Sequence, residues 1–261
     1  MLIGREHQRA RLSEAISERR SLLICGPVDA GKSALLHEVL SCVAASIRER
    51  CIVCTAEDTP HAIWLCLVQA LGAADDPEVL TRVENEAGSR QNLDRWAKAQ
   101  TSLRLRGILR RAARAREYWV FLDTTAALPD GTYRLLQEWV WSRRTPVVLL
   151  ARGSTSRELG KASQLYWHSG LRLTVGPLDV VSAETLLEHT VARLRLTELA
   201  DADFRNFVLE QSARLPGRIV RLCELASDVA YHYEGHVKLH TLAVDFMLQQ
   251  QRPAERAARH A

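Results

Sequence analysis

The fold of this chain is decided by the stretch Ser21-Leu22-Leu23-Ile24-Cys25-Gly26-Pro27-Val28-Asp29-Ala30-Gly31-Lys32-Ser33. The apolar run at residues 22–25 predicts a short buried strand that ends in glycine. Residues 26–33 then fit the pattern G-x-x-x-x-G-K-[ST] at every required position. Apolar side chains recur at intervals of three and four over residues 33–48, which predicts a helix. A strand, a glycine loop and a helix therefore follow one another directly.

This glycine loop predicts a binding site for a polyphosphate. Its glycines let backbone N–H groups surround a phosphate, and the helix that begins near Lys32 presents its positive end there. Lys32 would neutralise the terminal phosphate oxygens, and Ser33 would hold Mg²⁺. The alternative interpretation is a strand-to-helix turn that binds nothing. The residues expected to bind ATP in this loop are Gly26, Pro27, Val28, Asp29, Ala30, Gly31, Lys32, Ser33 and Ala34.

A magnesium nucleotide site also needs a carboxylate at the end of a neighbouring strand. Asp123 directly follows the apolar run at residues 118–122 and is the expected second metal-binding residue beside Ser33. The next residue is Thr124, whose hydroxyl cannot take a proton from an attacking water. Loss of a general base lowers a rate by about 10²- to 10⁴-fold. We therefore expect slow hydrolysis, with Asp29 and Glu57 as alternative bases.

Strand and helix patterns alternate along the first 175 residues. Such alternation predicts an α/β fold, in which helices cover both faces of a parallel sheet. Residues 72–88 are expected to be partly loop, and Pro129-Asp130-Gly131 to be a turn. The predicted strands are residues 21–25, 51–56, 118–122 and 146–151, and the predicted helices are residues 5–20, 33–48, 59–71, 93–116 and 132–141.

After Gly176-Pro177 the pattern is helical only. We therefore predict an α/β nucleotide-binding domain at residues 1–175, an all-α lid domain at residues 176–250, and a flexible tail at residues 251–261. The predicted lid helices are residues 182–194, 203–214, 216–232 and 240–250.

Composition excludes several classes of protein. The chain has 261 residues, of which 47% are hydrophobic and 25% charged, as in an ordinary globular protein. Its longest apolar run, at residues 62–68, is far shorter than the roughly 20 residues of a membrane helix, so no membrane partner is expected. The charged N-terminal residues do not fit a secretory signal, which predicts a cytoplasmic location. The net charge of +4 is too small to indicate nucleic acid by itself.

With these features together, the whole chain resembles a compact AAA+ ATPase of the origin-recognition, secretion and DNA-transposition-helper type. The glycine loop is then its P-loop, or Walker A motif. Leu2-Ile3-Gly4-Arg5-Glu6, followed by Arg11-Leu12, is similar to the segment that precedes this loop in those families. The resemblance implies that Ile3 and Arg5 line the adenine pocket.

The resemblance also assigns roles to two arginines. The strand at residues 147–151 takes the place of the sensor-1 strand, which implies that Arg152, or alternatively Ser154, senses the γ-phosphate. Residues 215–223 resemble the lid helix that carries sensor 2, which would be Arg218; a solvated arginine is the alternative. The catalytic residues implied by the resemblance are Lys32, Asp123, Arg152 and Arg218.

An arginine finger is missing from its expected place. The segment at residues 166–172 has no arginine at the matching position, and Arg157 and Arg172 are weak candidates. A homo-oligomer whose neighbouring subunit completes the site is therefore left open.

Three other features of the sequence are less specific. The segment from Arg95 to Arg116 contains eight basic residues and no acidic one, which fits either a solvated face or a surface for DNA or an acidic partner. Cys51-x-x-Cys54 has no second pair and alternates within a strand. His232, His236 and His240 are interrupted by Gly235. Neither of these last two groups predicts a metal site.

The leading functional hypothesis is an ATP-dependent switch with slow hydrolysis coupled to lid closure. It would regulate a nucleoprotein assembly, as a transposition or DNA-maintenance helper does, through a protein partner. Because the sequence ends after the lid pattern, no appended winged helix is expected, and any DNA contact would be non-specific or supplied by a partner. The alternatives are a signalling or scaffolding module that keeps ATP or ADP as a structural ligand, and a polynucleotide kinase, since the loop resembles that of certain RNA 5′-hydroxyl kinases.

Overall fold

The computed structural model describes residues 2–56, 59–124, 128, 130–142 and 145–258, with side chains described except at residues 56, 124, 142 and 250–258. The candidate base Glu57 and Pro129 of the expected turn lie outside this part of the chain, as does the side chain of Thr124. None of the described helices has the length and apolar character needed to cross a bilayer.

The chain divides into two compact units. The sheet unit comprises Glu6–Val28 and Lys32–Val175. The helical unit comprises the chain from Gly176 onward, together with the N-terminal residues up to Arg5 and the loop segment Asp29–Gly31.

The sheet unit contains a five-stranded parallel sheet in the order β2-β3-β4-β1-β5. All residues of β1 are buried, as are the first five of β4, because helices pack on both faces of a parallel sheet. The strands are β1 (Leu22–Gly26), β2 (Cys51–Ala56), β3 (Trp119–Thr124), β4 (Val147–Arg152) and β5 (Arg172–Thr174).

Helices connect these strands, as the alternating pattern predicts. α4 packs on β2 and α7, whereas α1 packs on α2 and β5. The helices are α1 (Glu6–Ser17), α2 (Lys32–Cys42), α3 (Ala45–Arg48), α4 (Pro60–Ala73), α5 (Pro77–Ala87), α6 (Leu93–Lys98), α7 (Ser102–Ala115), α8 (Asp130–Ser142), α9 (Ser156–Leu159) and α10 (Lys161–Leu165).

The stretch at residues 72–88, expected to be partly loop, contains the helix α5. Asp76 caps it by accepting a hydrogen bond of 3.0 Å from the Val79 N–H, and Pro77 occupies its first turn. Val79, Leu80 and Val83 are buried on one face. The helix therefore forms because the core covers an apolar face that its many charged residues obscure in the sequence.

Two helices that the periodicity predicts as continuous are divided. The stretch at residues 93–116 separates into α6 and α7, because the Thr101 side chain caps α7 by accepting from the Arg104 N–H. The stretch at residues 33–48 separates into α2 and the short α3. Apolar spacing alone does not reveal these interruptions, since it continues across them.

The helical unit has its own core of buried residues, among them Leu187, Phe204, Ile219 and Phe246. Its α-helices are α11 (Val180–Arg193), α12 (Ala202–Ser212), α13 (Pro216–Ala226) and α14 (Leu239–Ala258). Whereas a helix was expected at residues 216–232, α13 ends at Ala226 and an antiparallel hairpin of β6 (His232–Tyr233) and β7 (His236–Val237) follows.

Two residues with positive φ explain this hairpin. Glu234 has a φ of 48° and Gly235 a φ of 82°, which is the conformation that a two-residue hairpin loop requires. The backbone of α14 also remains helical beyond residue 250, as far as Ala258, where the sequence predicts a flexible tail from residue 251. Residues 259–261 lie outside the described chain.

Cys51, Cys54 and His232 each have a partner elsewhere in the chain rather than a shared site. The Cys51 thiol donates to the Ile47 carbonyl, whereas Cys54 is buried beside Cys66, and its pKa is raised by the hydrogen bond with that thiol and by burial. His232 Nε2 lies 2.8 Å from the Ala226 carbonyl oxygen. Among the described residues, no group of three or more His, Cys, Asp or Glu side chains is placed to hold a metal ion.

Candidate functional site

The phosphate loop, residues 26–33, joins the end of β1 to the start of α2. Asp29 has a φ of 66° and Gly31 a φ of 87°, so the backbone turns sharply between the strand and the helix. At Gly26 a Cβ atom would lie 2.0 Å from the Val175 carbonyl oxygen, and only glycine fits there. The loop therefore has the tight, glycine-dependent turn that its sequence predicts.

Lys32 is the first residue of α2, and only 9% of it is exposed. Its Nζ donates to the carbonyl oxygens of Gly26 at 2.9 Å and Pro27 at 2.7 Å. A buried ammonium group needs such polar partners because burial removes its water. The positive charge is thereby held at the loop and at the N-terminus of α2, where an anion is favoured.

Ser33 and Asp123 meet although they are far apart in the chain. The Ser33 hydroxyl donates to Asp123 Oδ2 at 2.6 Å. Ser33 lies in the first turn of α2, whereas Asp123 lies near the carboxyl end of β3. A hydroxyl and a carboxylate are hard oxygen ligands of the kind that Mg²⁺ prefers, so this donor set fits the ion.

Arg152 ends β4, the strand between β3 and β1. Its Cα pairs in register with Gly26, the first residue of the phosphate loop, and the residue is exposed while the rest of β4 is buried. The Gly153 N–H donates to the Gly26 carbonyl at 3.0 Å, which ties this end of β4 to the loop. Arg152 is therefore held beside the loop at the same edge of the sheet as Asp123.

Ser154, the alternative to Arg152, belongs to the turn that caps α9. Its backbone N–H donates to the Glu158 carboxylate at 2.9 Å, and the Thr155 N–H donates to the same oxygen at 3.0 Å. These hydrogen bonds from the Thr155 and Ser154 backbone hold the pKa of Glu158 below its usual range. The Ser154 segment thus has a structural partner, which favours Arg152 as the candidate.

Arg5 lies within the helical unit and is 5% exposed. Its guanidinium donates to the Ala30 carbonyl at 3.2 Å and to the Gly176 carbonyl. Burial lowers the pKa of Arg5, and the nearby Asp179 carboxylate opposes that effect. Arg5 therefore holds the backbone of the phosphate loop through the Ala30 carbonyl. The contact of Arg5 and Ile3 with adenine, which the resemblance implies, stays a prediction.

Arg218 lies in the first turn of α13. Asp29 of the phosphate loop belongs to the same helical unit. The Asp29 carboxylate is 3.9 Å from Arg218 Nε and 3.8 Å from an Arg221 terminal nitrogen. The Gly217 N–H donates to the Asp29 carbonyl at 2.9 Å. Sequence reasoning missed Arg221, although its spacing of three residues from Arg218 places both on one helix face.

The weak candidates for an arginine finger differ in their surroundings. The Arg172 guanidinium donates to the carbonyl oxygens of Tyr166 at 2.6 Å and Ser163 at 2.7 Å, so it binds its own chain. Arg157 is exposed on α9.

Part of the positive charge of the segment from Arg95 to Arg116 is offset by acidic residues of neighbouring helices. Acidic residues of α5 and α8 pair with three arginines of α7. These ion pairs are Arg104 with Glu86, Arg110 with Glu138 and Arg111 with Glu78. The five other basic residues of the segment are the exposed Arg95 and Lys98 of α6, the half-buried Arg106 and the exposed Arg114 of α7, and the exposed Arg116 that follows α7.

A family model described as the AAA ATPase domain matches residues 1–150. The chain belongs to the AAA ATPase domain family. A search among curated proteins found no match. The match includes the phosphate loop and Asp123, so the chain has the fold of a nucleotide-binding ATPase.

Solved structures of AAA ATPases share the fold over nearly the whole chain. The Aeropyrum pernix Orc1 protein in complex with DNA has a TM-score of 0.64 and 16% identity over 97% of this chain and 66% of its own. Cdc6p from Pyrobaculum aerophilum has a TM-score of 0.59 and 11% identity over 89% of this chain and 64% of its own. AMPPCP-bound DnaA from Aquifex aeolicus has a TM-score of 0.51 and 12% identity over 98% of this chain and 68% of its own.

These structures confirm the predicted fold, a parallel sheet flanked by helices with a helical C-terminal part. The family model confirms the resemblance to an AAA+ ATPase, and these structures show that the fold is similar to that of the Orc1 and Cdc6p proteins. The chain spans only about two thirds of the length of each of these neighbours.

Proposed function

We propose that this AAA ATPase domain is a switch that binds ATP with Mg²⁺ at the phosphate loop and hydrolyses it slowly. The observation that carries the proposal is the hydrogen bond of 2.6 Å between Ser33 and Asp123 beside the buried Lys32. In this arrangement, backbone N–H groups of residues 26 and 28–34 would donate to phosphate oxygens, and Lys32 would neutralise them; Pro27 has no N–H to donate. Ser33 and Asp123 hold the ion, which would offset the charge of the phosphates.

Arg152 and Arg218 are the proposed contacts of the γ-phosphate. Arg152 ends the strand beside the loop, and a guanidinium fork matches phosphate geometry. Arg218 faces a carboxylate of the same loop, so the position already favours an anion near its side chain. When Arg218 binds the γ-phosphate, the lid domain would close. This lid closure is the proposed switching step.

Slow turnover follows from Thr124. The residue after Asp123 carries a hydroxyl, and a hydroxyl is a poor general base at neutral pH. The alternative base Asp29 lies 3.8–3.9 Å from Arg218 and Arg221, and Glu57 lies outside the described residues, so the proposal of slow turnover rests on Thr124. The kinase alternative, in which Asp29 would assist an attacking hydroxyl, rests on the loop sequence alone.

A nucleoprotein assembly is the proposed target of the switch. The support is that an Orc1 protein of the same fold is known in complex with DNA. Because three arginines of α7 are paired with glutamates, DNA contact through the segment from Arg95 to Arg116 would depend on its other exposed charges, without base specificity. These are Arg95, Lys98, Arg114 and Arg116. A protein partner, a homo-oligomer and a cytoplasmic location belong to the same proposal.

The scaffold that retains its nucleotide remains the second candidate, and Thr124 is the feature that favours it. Turnover distinguishes the two functions. A switch would hydrolyse ATP measurably and respond to DNA or to a partner. A scaffold would be purified with nucleotide bound and would show only background hydrolysis under both conditions.

The metal site tests the proposal most directly. We expect Asp123→Asn and Ser33→Ala to reduce the gain in ATP affinity that Mg²⁺ provides, because the first removes the negative charge of one ligand and the second removes the other oxygen ligand. Calorimetric titrations of ATP with Mg²⁺ and with EDTA measure that gain. Ser227→Ala is the matched control and should behave like the unaltered chain, because the Ser227 hydroxyl donates to the Glu224 carbonyl in the helical unit. Absence of ATP binding by the unaltered, ligand-stripped protein would refute the proposed function.

A further inference from the structure

Asp29 is a charged residue in a loop that binds an anion under the proposed function. We infer that its carboxylate takes the position beside Arg218 and Arg221 that a phosphate would otherwise take. The γ-phosphate of ATP must therefore displace this carboxylate from the two arginines. Asp29 is thus a specificity-determining residue that sets how strongly the chain distinguishes ATP from ADP. This inference rests on the proposed function, because it requires the loop to bind nucleotide.

The backbone holds Asp29 in a specific orientation. Its φ of 66° is unusual for a residue other than glycine, and its carbonyl accepts the Gly217 N–H at 2.9 Å. A Cβ atom on Gly217 would lie 2.8 Å from the Asp29 Cβ, so α13 approaches the loop closely at this point. The carboxylate is consequently placed beside the arginine face of α13.

The ion pairs at this position are loose. Separations of 3.9 Å from Arg218 and 3.8 Å from Arg221 exceed the 2.7–3.2 Å that is typical of N–H···O hydrogen bonds. In addition, Arg218 Nε is buried and has no hydrogen-bond partner among the described residues. A buried donor without an acceptor is unfavourable, so a phosphate oxygen that accepts from it would bind better than the present carboxylate.

Charge supports an exchange of partners. Asp29 lies in the phosphate loop, where its negative charge opposes a bound triphosphate unless the arginines offset it. Arg218 and Arg221 cannot fully serve both anions. ATP binding therefore includes a cost for separating Asp29 from the arginines, and ADP, which has no γ-phosphate, leaves that contact in place.

The variant Asp29→Asn tests this exchange with little change in shape. Asparagine tolerates positive φ as well as aspartate does, so the loop should keep its conformation. We expect the Kd for ATP to fall about tenfold, a change of about 1.4 kcal/mol, and the Kd for ADP to fall less than about threefold, a change of under 1 kcal/mol. Calorimetry with ATP, AMPPCP and ADP, each with Mg²⁺, measures both.

Asp75→Asn is the matched control, because Asp75 is another aspartate with positive φ, at 53°, and lies away from the phosphate loop in the sheet unit. It removes the same charge and should leave both affinities unchanged. A cycle with Arg218→Ala adds a second test: the loss of ATP affinity on this change should be larger in the Asp29→Asn chain than in the unaltered chain.

The outcomes separate the inference from the proposed function. Unchanged or weaker ATP binding by Asp29→Asn, or equal gains for ATP and ADP, would overturn the inference while nucleotide binding by the unaltered chain still stands. If the unaltered chain binds neither nucleotide, the proposed function fails first.

Discussion

The two parts of the phosphate loop differ in how they are held. In the sheet unit, Lys32 and Ser33 make hydrogen bonds of 2.6–2.9 Å to carbonyl and carboxylate oxygens. In the helical unit, the Asp29 carboxylate is 3.8–3.9 Å from two arginines, too far for hydrogen bonds. The first set is organised in advance for phosphate and metal, whereas the second can exchange its partner. One loop thus combines a fixed binding half with a responsive half.

The largest expected effect tests the fixed half. Lys32→Ala removes the buried ammonium, and hydrogen bonds to charged groups contribute about 1.5–3 kcal/mol each. We expect the Kd for ATP to rise at least about 100-fold, a change of about 2.8 kcal/mol, as measured by calorimetry. Lys161→Ala is the control, because Lys161 is half-exposed and paired with Asp130. Retained affinity in Lys32→Ala would show that the lysine does not contact the phosphates.

The next effect concerns chemistry at the same half of the loop. Thr124→Glu places a carboxylate after Asp123, and a general base contributes about 10²- to 10⁴-fold to a rate. An introduced glutamate lacks neighbours that position it, so its contribution should be smaller than that of a native base. We expect kcat for ATP hydrolysis to rise by about 10- to 100-fold, with the Kd for ATP unchanged. Thr124→Gln, which has the same size and no charge, should not raise kcat. Equal rates in both variants would mean that another residue serves as the base.

Arg5 links the responsive half to its own unit. Arg5→Met removes hydrogen bonds to the Ala30 and Gly176 carbonyls, so we expect the free energy of unfolding to fall by about 2–4 kcal/mol. Urea denaturation measures this loss. Arg11→Met should cost less than about 1 kcal/mol, because Arg11 makes one long hydrogen bond of 3.3 Å to the Gly170 carbonyl. Equal losses would contradict a supporting role for Arg5.

The smallest effect lies on α7, away from the loop. If Arg114 contacts DNA phosphates, Arg114→Gln should reduce the slope of log affinity against log salt concentration by about 0.9. The double variant Arg110→Gln/Glu138→Gln keeps the net charge and should change the slope less, since Arg110 is already paired with Glu138 at 2.7 Å. DNA retention measured at several salt concentrations compares them. An unchanged slope in both variants would place any DNA contact elsewhere.

The elements that the sequence predicts correctly are those with strong local signals. β2 has the predicted bounds, and the strand, loop and helix around Gly26 follow the motif. The sequence does not predict α5, whose burial depends on residues distant in the chain, and the helix predicted at residues 216–232 is too long, because α13 ends at Ala226 before the hairpin β6–β7. Local pattern cannot show which face of a charged helix the core will cover.

The sequence alone determined the phosphate loop, the alternation of strands and helices, and the choice of Asp123, because each depends on neighbouring residues and their spacing. Only the tertiary structure decided that Ser33 meets Asp123, that glutamates pair with the arginines of α7, and that Asp29 faces Arg218 and Arg221. These contacts join residues far apart in the chain, and their geometry depends on how the strands and helices pack.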